Sequence, residues 1–389
     1  MSSATTPTVK LKKPPLRFAH PFFTTTPPKR RRPTPFGRRM IDHVQSKLQP
    51  IPKPRRDPMM TLADIIGPDA AAAIEKSGAL RFHSTGDTGR SADSPQGQVA
   101  AAMTADYDIQ HPAQSPAFFF HLGDVIYGHS KDQLYRREFY EPYMHYPGKI
   151  IGIPGNHDGE VFPQSDPTTL RAFEANFCAA TPTVPPIAGT IFRETMTQPG
   201  VYWLLDAPFV DVIGLYSNVG EGPGFISGGA AGQAQKTWLV ATLQRIKKER
   251  DAGKRKGLIL ATHHPAFSNA GHSGSDQMLK DIDEACTKGG VMPDIFLAGH
   301  SHTYQRYTRR IRFAQRSLEI PFVVAGIGGI NDQPVPPANG QVQGDHSFDA
   351  SHQGFGYLLI EAKATSIEVR AIGVAETAKS QFDQVAVTL

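Results

Sequence analysis

Five times along the chain an apolar run breaks into a tight turn that carries Asp, Asn or His, and this recurrence constrains the fold more than any other feature. The runs PAFFFHL, GKIIGIP, KGLILAT and PDIFLA end at Gly123-Asp124, at Gly155-Asn156-His157-Asp158, at His263-His264 and at Gly299-His300-Ser301-His302. A weaker run, LRFHST, ends at Gly86-Asp87-Thr88-Gly89. Short runs rich in β-branched and aromatic residues, with no polar alternation, read as strands buried on both faces. Turns beyond the carboxyl ends of neighbouring strands share one rim, so residues scattered along the chain converge there.

Between these runs, Gln233–Glu249 spaces Trp238, Leu239, Leu243 and Ile246 helically with Lys and Arg opposite, and Gly253 is a suitable stop. VYWLLDAPFV and VDVIGLYSN predict two more strands, and FGYLLIEAKATSIEVRAIGV predicts a closing hairpin. The expected fold class is α/β (α+β), with two packed β-sheets flanked by helices. Residues Ser91–Ser115 and Gly220–Gly232 are rich in small and polar residues and read as loops over the site. The Gly-rich stretch Ala325–Asn331 precedes DQPVPP rather than a helix, so no helix N-terminus is available for a pyrophosphate. It reads as a turn lining the rim.

Charge divides the chain. Of 41 Lys and Arg and 36 Asp and Glu, 14 and 2 fall within Met1–Asp57, which leaves an acidic remainder of 27 against 34. Residues 1–58, crowded with Pro and lacking an apolar period, read as a disordered basic arm, and 59–389 as the folded catalytic domain. The arm suits a solvated tail, or contact with nucleic acid or an anionic membrane. No run approaches the roughly 18 apolar residues of a transmembrane span, and no signal peptide is visible, so a cytoplasmic location is expected. Cys178 and Cys286 stand far apart and outside the turns, which argues against a disulfide framework or a thiolate metal site.

The candidate ligands are Asp87, Asp124, Tyr127, Asn156, His263, His300 and His302. Carboxylate, amide oxygen and imidazole without thiolate suit Fe, Mn or Zn, and a set this large suffices for two ions sharing a carboxylate. Taken singly, a strand-terminal Asp is more often a turn residue and a lone Tyr more often packing. Five turns in order reverse that weighting.

Read together, GDTG, GDVIY, GNHD, LATH and GHSH resemble the blocks of the calcineurin-like metallophosphoesterases, and within them the purple acid phosphatases. Ordinary members of the superfamily carry His where Gly89 stands here. Gly89, and Tyr127 three residues after Asp124, follow the purple acid phosphatase pattern. The resemblance implies a metallophosphoesterase-like β-sandwich with the site at the carboxyl ends of the strands. It also implies that Asp87, Tyr127 and His302 hold Fe(III), that Asn156, His263 and His300 hold Fe(II), Zn or Mn, and that Asp124 bridges them. His157 and His272 would contact the phosphate and protonate the leaving group, and Asp158 is expected to orient His157. His264 is read as a neighbour or a substrate contact, and Gln305 departs from the Glu usual among plant-like members.

The expected activity is hydrolysis of small phosphomonoesters by a hydroxide held between two ions. Two alternatives stand beside it: a phosphodiesterase acting on nucleotides or phospholipid head groups, and a non-catalytic metal-binding regulatory protein. His83, His121, His129 and His145 are given no role.

Overall fold

The computed structural model describes residues 51–128, 131–160, 169–217, 224, 226, 229–376 and 378–389. The basic arm up to position 50, with the contacts expected of it, lies outside the described residues, as do His129 and much of Gly220–Gly232. The strands in chain order are β1 (Met59–Thr61), β2 (Leu80–Thr85), β3 (Phe118–His121), β4 (Lys149–Gly152), β5 (Trp203–Asp206), β6 (Val210–Gly214), β7 (Gly257–Thr262) and β8 (Ile295–Ala298). They continue with β9 (Tyr304–Phe313), β10 (Arg316–Ala325), β11 (Val342–Gln343), β12 (His346–His352), β13 (Phe355–Lys363), β14 (Ser366–Ala375) and β15 (Ala378–Thr388).

Among the described residues these form two sheets. One has six strands in the order β15-β14-β13-β2-β3-β4, the other nine in the order β1-β5-β6-β7-β8-β10-β9-β12-β11. Strands β2, β3 and β4 run parallel, as do β6, β7 and β8, so the carboxyl ends of each set point the same way.

Alternation along each strand explains why the runs are apolar throughout. Phe82, Phe120, Ile151 and Ile360 of the smaller sheet meet Leu205, Val212, Ile259 and Leu297 of the larger in a shared core between the sheets. The opposite faces are also covered. Phe119, Ile150 and Tyr357 lie in an outer cluster with Val99, Met103 and Tyr143. Leu258, Leu260 and Phe296 lie under the helices Gly229–Asp251 and Asp276–Gly289. A strand buried on both sides favours apolar side chains along its length, and the polar turns begin where it ends.

Three sequence expectations change. Ser91–Ser115 contains the helix Pro95–Thr104, capped by the Ser94 side chain on the Gln96 N–H and started by Pro95. The closing hairpin is a three-stranded meander, because β15 pairs with β14 along its length. Residues 51–58, counted with the arm, lie against the domain: Arg55 N–H donates to Pro199 O at 2.7 Å, and Ile51 packs on the outer cluster of the smaller sheet. Among the described residues no helix is long and apolar enough to cross a membrane. Cys178 and Cys286 are both buried and unbridged.

Candidate metal centre

Each sheet delivers half of one site. From the smaller sheet, β2, β3 and β4 lead into Asp87, Asp124 and Asn156; from the larger, β7 and β8 lead into His263, His300 and His302. Backbone hydrogen bonds sew the turns together. Asp87 N–H donates to Gly123 O at 3.0 Å, Leu122 N–H to Thr85 O at 2.9 Å and Gly299 N–H to His263 O at 2.9 Å. Across the sheets, His300 N–H donates to Asp87 Oδ2 at 2.7 Å, and His263 Nδ1 lies 2.8 Å from Leu122 O. That last contact engages Nδ1 as a donor and leaves Nε2 as the nitrogen that faces the site.

The turns are tight enough to force strain. Asp87, Asp124 and His300 have φ of 60°, 54° and 69°, a region that residues with a Cβ seldom occupy and that costs on the order of 1–3 kcal/mol each. Three strained residues at the rim, each bonded to a neighbouring turn, mark a place where position is kept at the expense of stability.

Asp124, His263 and His300 offer ligand atoms that all lie within 4.8 Å of one another, the one such cluster of His, Cys, Asp and Glu among the described residues. Asp124 Oδ2 is 3.3 Å and Asn156 Oδ1 is 3.1 Å from His263 Nε2. Beside them lies a second group. Tyr127 Oη donates to Asp87 Oδ1 at 3.2 Å and sits 3.5 Å from His302 Nε2, which is itself 3.5 Å from Asp87 Oδ1. His263 Nε2, 4.0 Å from Asp87 Oδ1, joins the two.

The electrostatics call for a cation. Burial pushes Asp87 up to about 7 against the pull of His263, and the Asp124 charge adds to the rise. Burial, Asp124 and Asp87 push the Tyr127 phenol well above its usual range. His263 is drawn up to about 9 because Asp124 and Asp87 outweigh its burial. Burial depresses His300, and holds His302 down to about 3, so both keep a free lone pair at neutral pH. His300 Nε2 is buried and without a hydrogen-bond partner among the described residues. Two buried carboxylates sharing space with neutral imidazoles, one of them unpartnered, fit a metal ion chemically, because ligation satisfies the same lone pairs that the protons do not.

Around this centre the expected residues fall unevenly. The His157 ring packs tilted against Tyr127 at 4.3 Å between centroids, and its backbone N–H donates to Asp124 Oδ1 at 2.8 Å. His272 lies 4.4 Å from His300 and 5.4 Å from His302 between ring centroids, and its Nδ1 is buried. His264 packs 4.3 Å from His300, with its Nδ1 2.9 Å from Ser217 Oγ. Asp158 does not orient His157: its carboxylate accepts from Gly155 N–H at 2.8 Å and from Val125 N–H at 3.3 Å, which fastens the Asn156 turn to the Asp124 turn. The ring of His157 faces Glu160 instead, with Nδ1 3.1 Å from Oε2. Burial opposes a charge on His157, but Asp124 and Glu160 outweigh it and raise the ring to about 9.

Glu138 is another residue that no motif marks. It sits in a π-helical turn, Arg136–Tyr140, and accepts the Tyr127 N–H at 2.8 Å. Gly89 lies directly under the Tyr127 ring, so that a Cβ there would overlap it. The Gly-rich stretch Ala325–Asn331 does line the site, where Gly328 N–H donates to Gly86 O at 2.9 Å and Ile330 N–H to Asp87 O at 3.0 Å.

Comparison with known proteins agrees with this geometry. The family described as Calcineurin-like phosphoesterase matches residues 80–304, from the start of β2 to the start of β9. The chain belongs to that family. Among curated relatives of this calcineurin-like phosphoesterase, Purple acid phosphatase 21 of Arabidopsis thaliana is 25% identical over 154 residues, 39% of the chain and 30% of the relative. Tartrate-resistant acid phosphatase type 5 of Rattus norvegicus is 27% identical over 129 residues, 32% of the chain and 37% of the relative. The chain thus spans about a third of the length of each. Two solved structures share the fold: PhoD, with a TM-score of 0.51 at 11% identity over 87% of this chain and 71% of that one, and GAP50, the anchor in the inner membrane complex of Plasmodium, with 0.50 at 11% identity over 78% and 89%. The likeness to purple acid phosphatases is weak in identity and lies within the portion of chain that the alignments cover.

Proposed function

We propose that this calcineurin-like phosphoesterase hydrolyses phosphomonoesters at a two-metal centre of the purple acid phosphatase kind. Asp87, Tyr127 and His302 would hold one ion, Asn156, His263 and His300 the other, and Asp124 would lie between them. The observation that carries this reading is the pairing of Gly89 with Tyr127, since the missing side chain at 89 makes the room in which the phenol reaches Asp87 and His302. The phenolate is a hard anionic ligand, which supports Fe(III) on that side and Fe(II), Zn or Mn on the other. When bound, the ions supply Lewis acidity toward the phosphoryl oxygens and the attacking water.

The chain's own residues do the rest. The strained turns hold Asp87, Asp124 and His300 in place before any substrate arrives. His157 and His272 flank the centre, one against Tyr127 and the other against His300 and His302, where their N–H groups bind phosphoryl oxygens; His157, held charged by Asp124 and Glu160, is the ring better placed to pass a proton to the departing alkoxide, since burial keeps His272 down to about 4. Glu160 holds the His157 ring at Nδ1, so Nε2 is the atom that serves the substrate.

The deciding experiment compares nitrophenyl phosphate with bis-nitrophenyl phosphate on metal-replete protein from acidic to neutral pH, with Asp124→Ala as control. Faster monoester turnover that disappears in Asp124→Ala is expected. Faster diester turnover would replace the phosphatase by a phosphodiesterase, and no turnover of either by metal-loaded protein would favour a non-catalytic role.

A further inference from the structure

Gln333 follows the Gly-rich stretch along the rim, and no motif includes it. Its backbone N–H donates to His302 O at 3.0 Å, and its side-chain Nε2 lies 3.5 Å from His302 Nδ1. The other end of the amide, Oε1, is buried and has no partner among the described residues. His302 presents Nε2 to Tyr127 and Asp87, so Nδ1 is the atom turned toward Gln333.

We infer that Gln333 is a positioning residue that matches its amide to the tautomer of His302, and so sets the affinity of the Tyr127 side of the centre for its ion. The inference rests on the two-metal reading above. An imidazole that ligates through Nε2 carries its proton on Nδ1 and needs an acceptor there. As the amide stands, Nε2 faces Nδ1, which suits the other tautomer and strands the oxygen. A half-turn about the terminal bond exchanges the two ends, so that Oε1 accepts from Nδ1–H. An amide serves both tautomers, whereas a carboxylate would serve only the ligating one. The neighbouring loop leaves space for this: a Cβ at Gly271 would stand 2.8 Å from Gln333 Oε1, and Gly271 precedes His272.

The test titrates Mn(II) by calorimetry into the chelator-stripped full chain. Wild type is expected to take up two ions. Gln333→Leu should weaken one binding event by about 10–100-fold and leave the other within about threefold, the usual effect of losing a partner behind a ligating histidine. Gln333→Glu should retain or tighten that event. Gly271→Ala, which crowds the amide without altering it, should weaken the same event, and combining it with Gln333→Leu should add no further loss, since both act through one contact. Unchanged affinities in Gln333→Leu, or fully additive losses in the double variant, overturn the inference. If Gln333→Leu does not fold, Gly271→Ala decides, and wild-type affinity there overturns it equally. Wild-type protein that binds no ion sinks the two-metal reading as well, which separates the two failures.

Discussion

Gly89 and Tyr127 share one volume, and that sharing is the most specific physical statement the site makes about itself. Gly89 has φ 25° and no room for a Cβ beneath the Tyr127 ring, so Gly89→Ala must move the phenol away from Asp87 and His302. The variant loaded with Fe(III) is expected to lose the visible tyrosinate band, as Tyr127→Phe must, and to lose turnover by roughly 100-fold, the scale of a displacement of about 1 Å at a reacting centre. A band of wild-type intensity in Gly89→Ala would remove Tyr127 from the proposed ligand set. Residues such as these are legible in the sequence because each proposed ligand sits in a short block whose internal spacing is fixed by one turn. Glu138, Glu160 and Gln333 are not. They act by side-chain contacts with Tyr127, His157 and His302, and contacts of that kind leave no spacing to read.

Elements were legible in proportion to how completely they are buried. The strands leading to the site are apolar on both faces and announced themselves, whereas β15 is largely exposed and alternates weakly, so it was missed. The helix Pro95–Thr104 buries Val99, Ala100 and Met103 among alanines and glutamines that show no apolar period, and its Ser94-Pro95 start was the usable signal. Just beyond that helix Asp106 ties four elements together. Its Oδ2 accepts from His83 on β2 at 3.0 Å and from Tyr357 on β13 at 2.6 Å, and Lys379 on β15 pairs with its other oxygen. Burial opposes the charge, but the bonds from His83, Lys379 and Tyr357 outweigh it and hold Asp106 down to about 2. The folded value lies below the unfolded one of roughly 3.9, so this stabilisation is complete above about pH 4 and is lost as pH falls toward 2. Asp106→Asn should therefore cost about 1–3 kcal/mol at pH 7. In melting curves from pH 7 to pH 2.5 the gap between variant and wild type should close below about pH 4, and a gap that stays constant would show that Asp106 contributes by packing rather than by charge.

At the scale of the molecule, the proposed centre lies where two sheets present their carboxyl ends to each other. Asp87, Asp124 and Asn156 follow strands of one sheet, and His263, His300 and His302 follow strands of the other. An ion held by both would be a cross-link between halves of the core, and it would offset the burial that, with the Asp124 charge, raises Asp87, and the strain stored in three turns. Stability and function then draw on the same residues. Anything that binds only the folded state adds about 2.7 kcal/mol at one hundred times its Kd, so protein with Mn(II) restored should melt several degrees above chelator-stripped protein. Ligands must shed protons to bind, so the difference should shrink as pH falls from neutral into the acid range. Asp124→Ala should melt at the same temperature with and without Mn(II), because the residue between the two proposed ions is gone. Equal melting of loaded and stripped wild type, under conditions where calorimetry shows the ion bound, would mean that the unfolded chain binds the ion as tightly as the folded one, so that the rim between the two sheets is not the site that holds it.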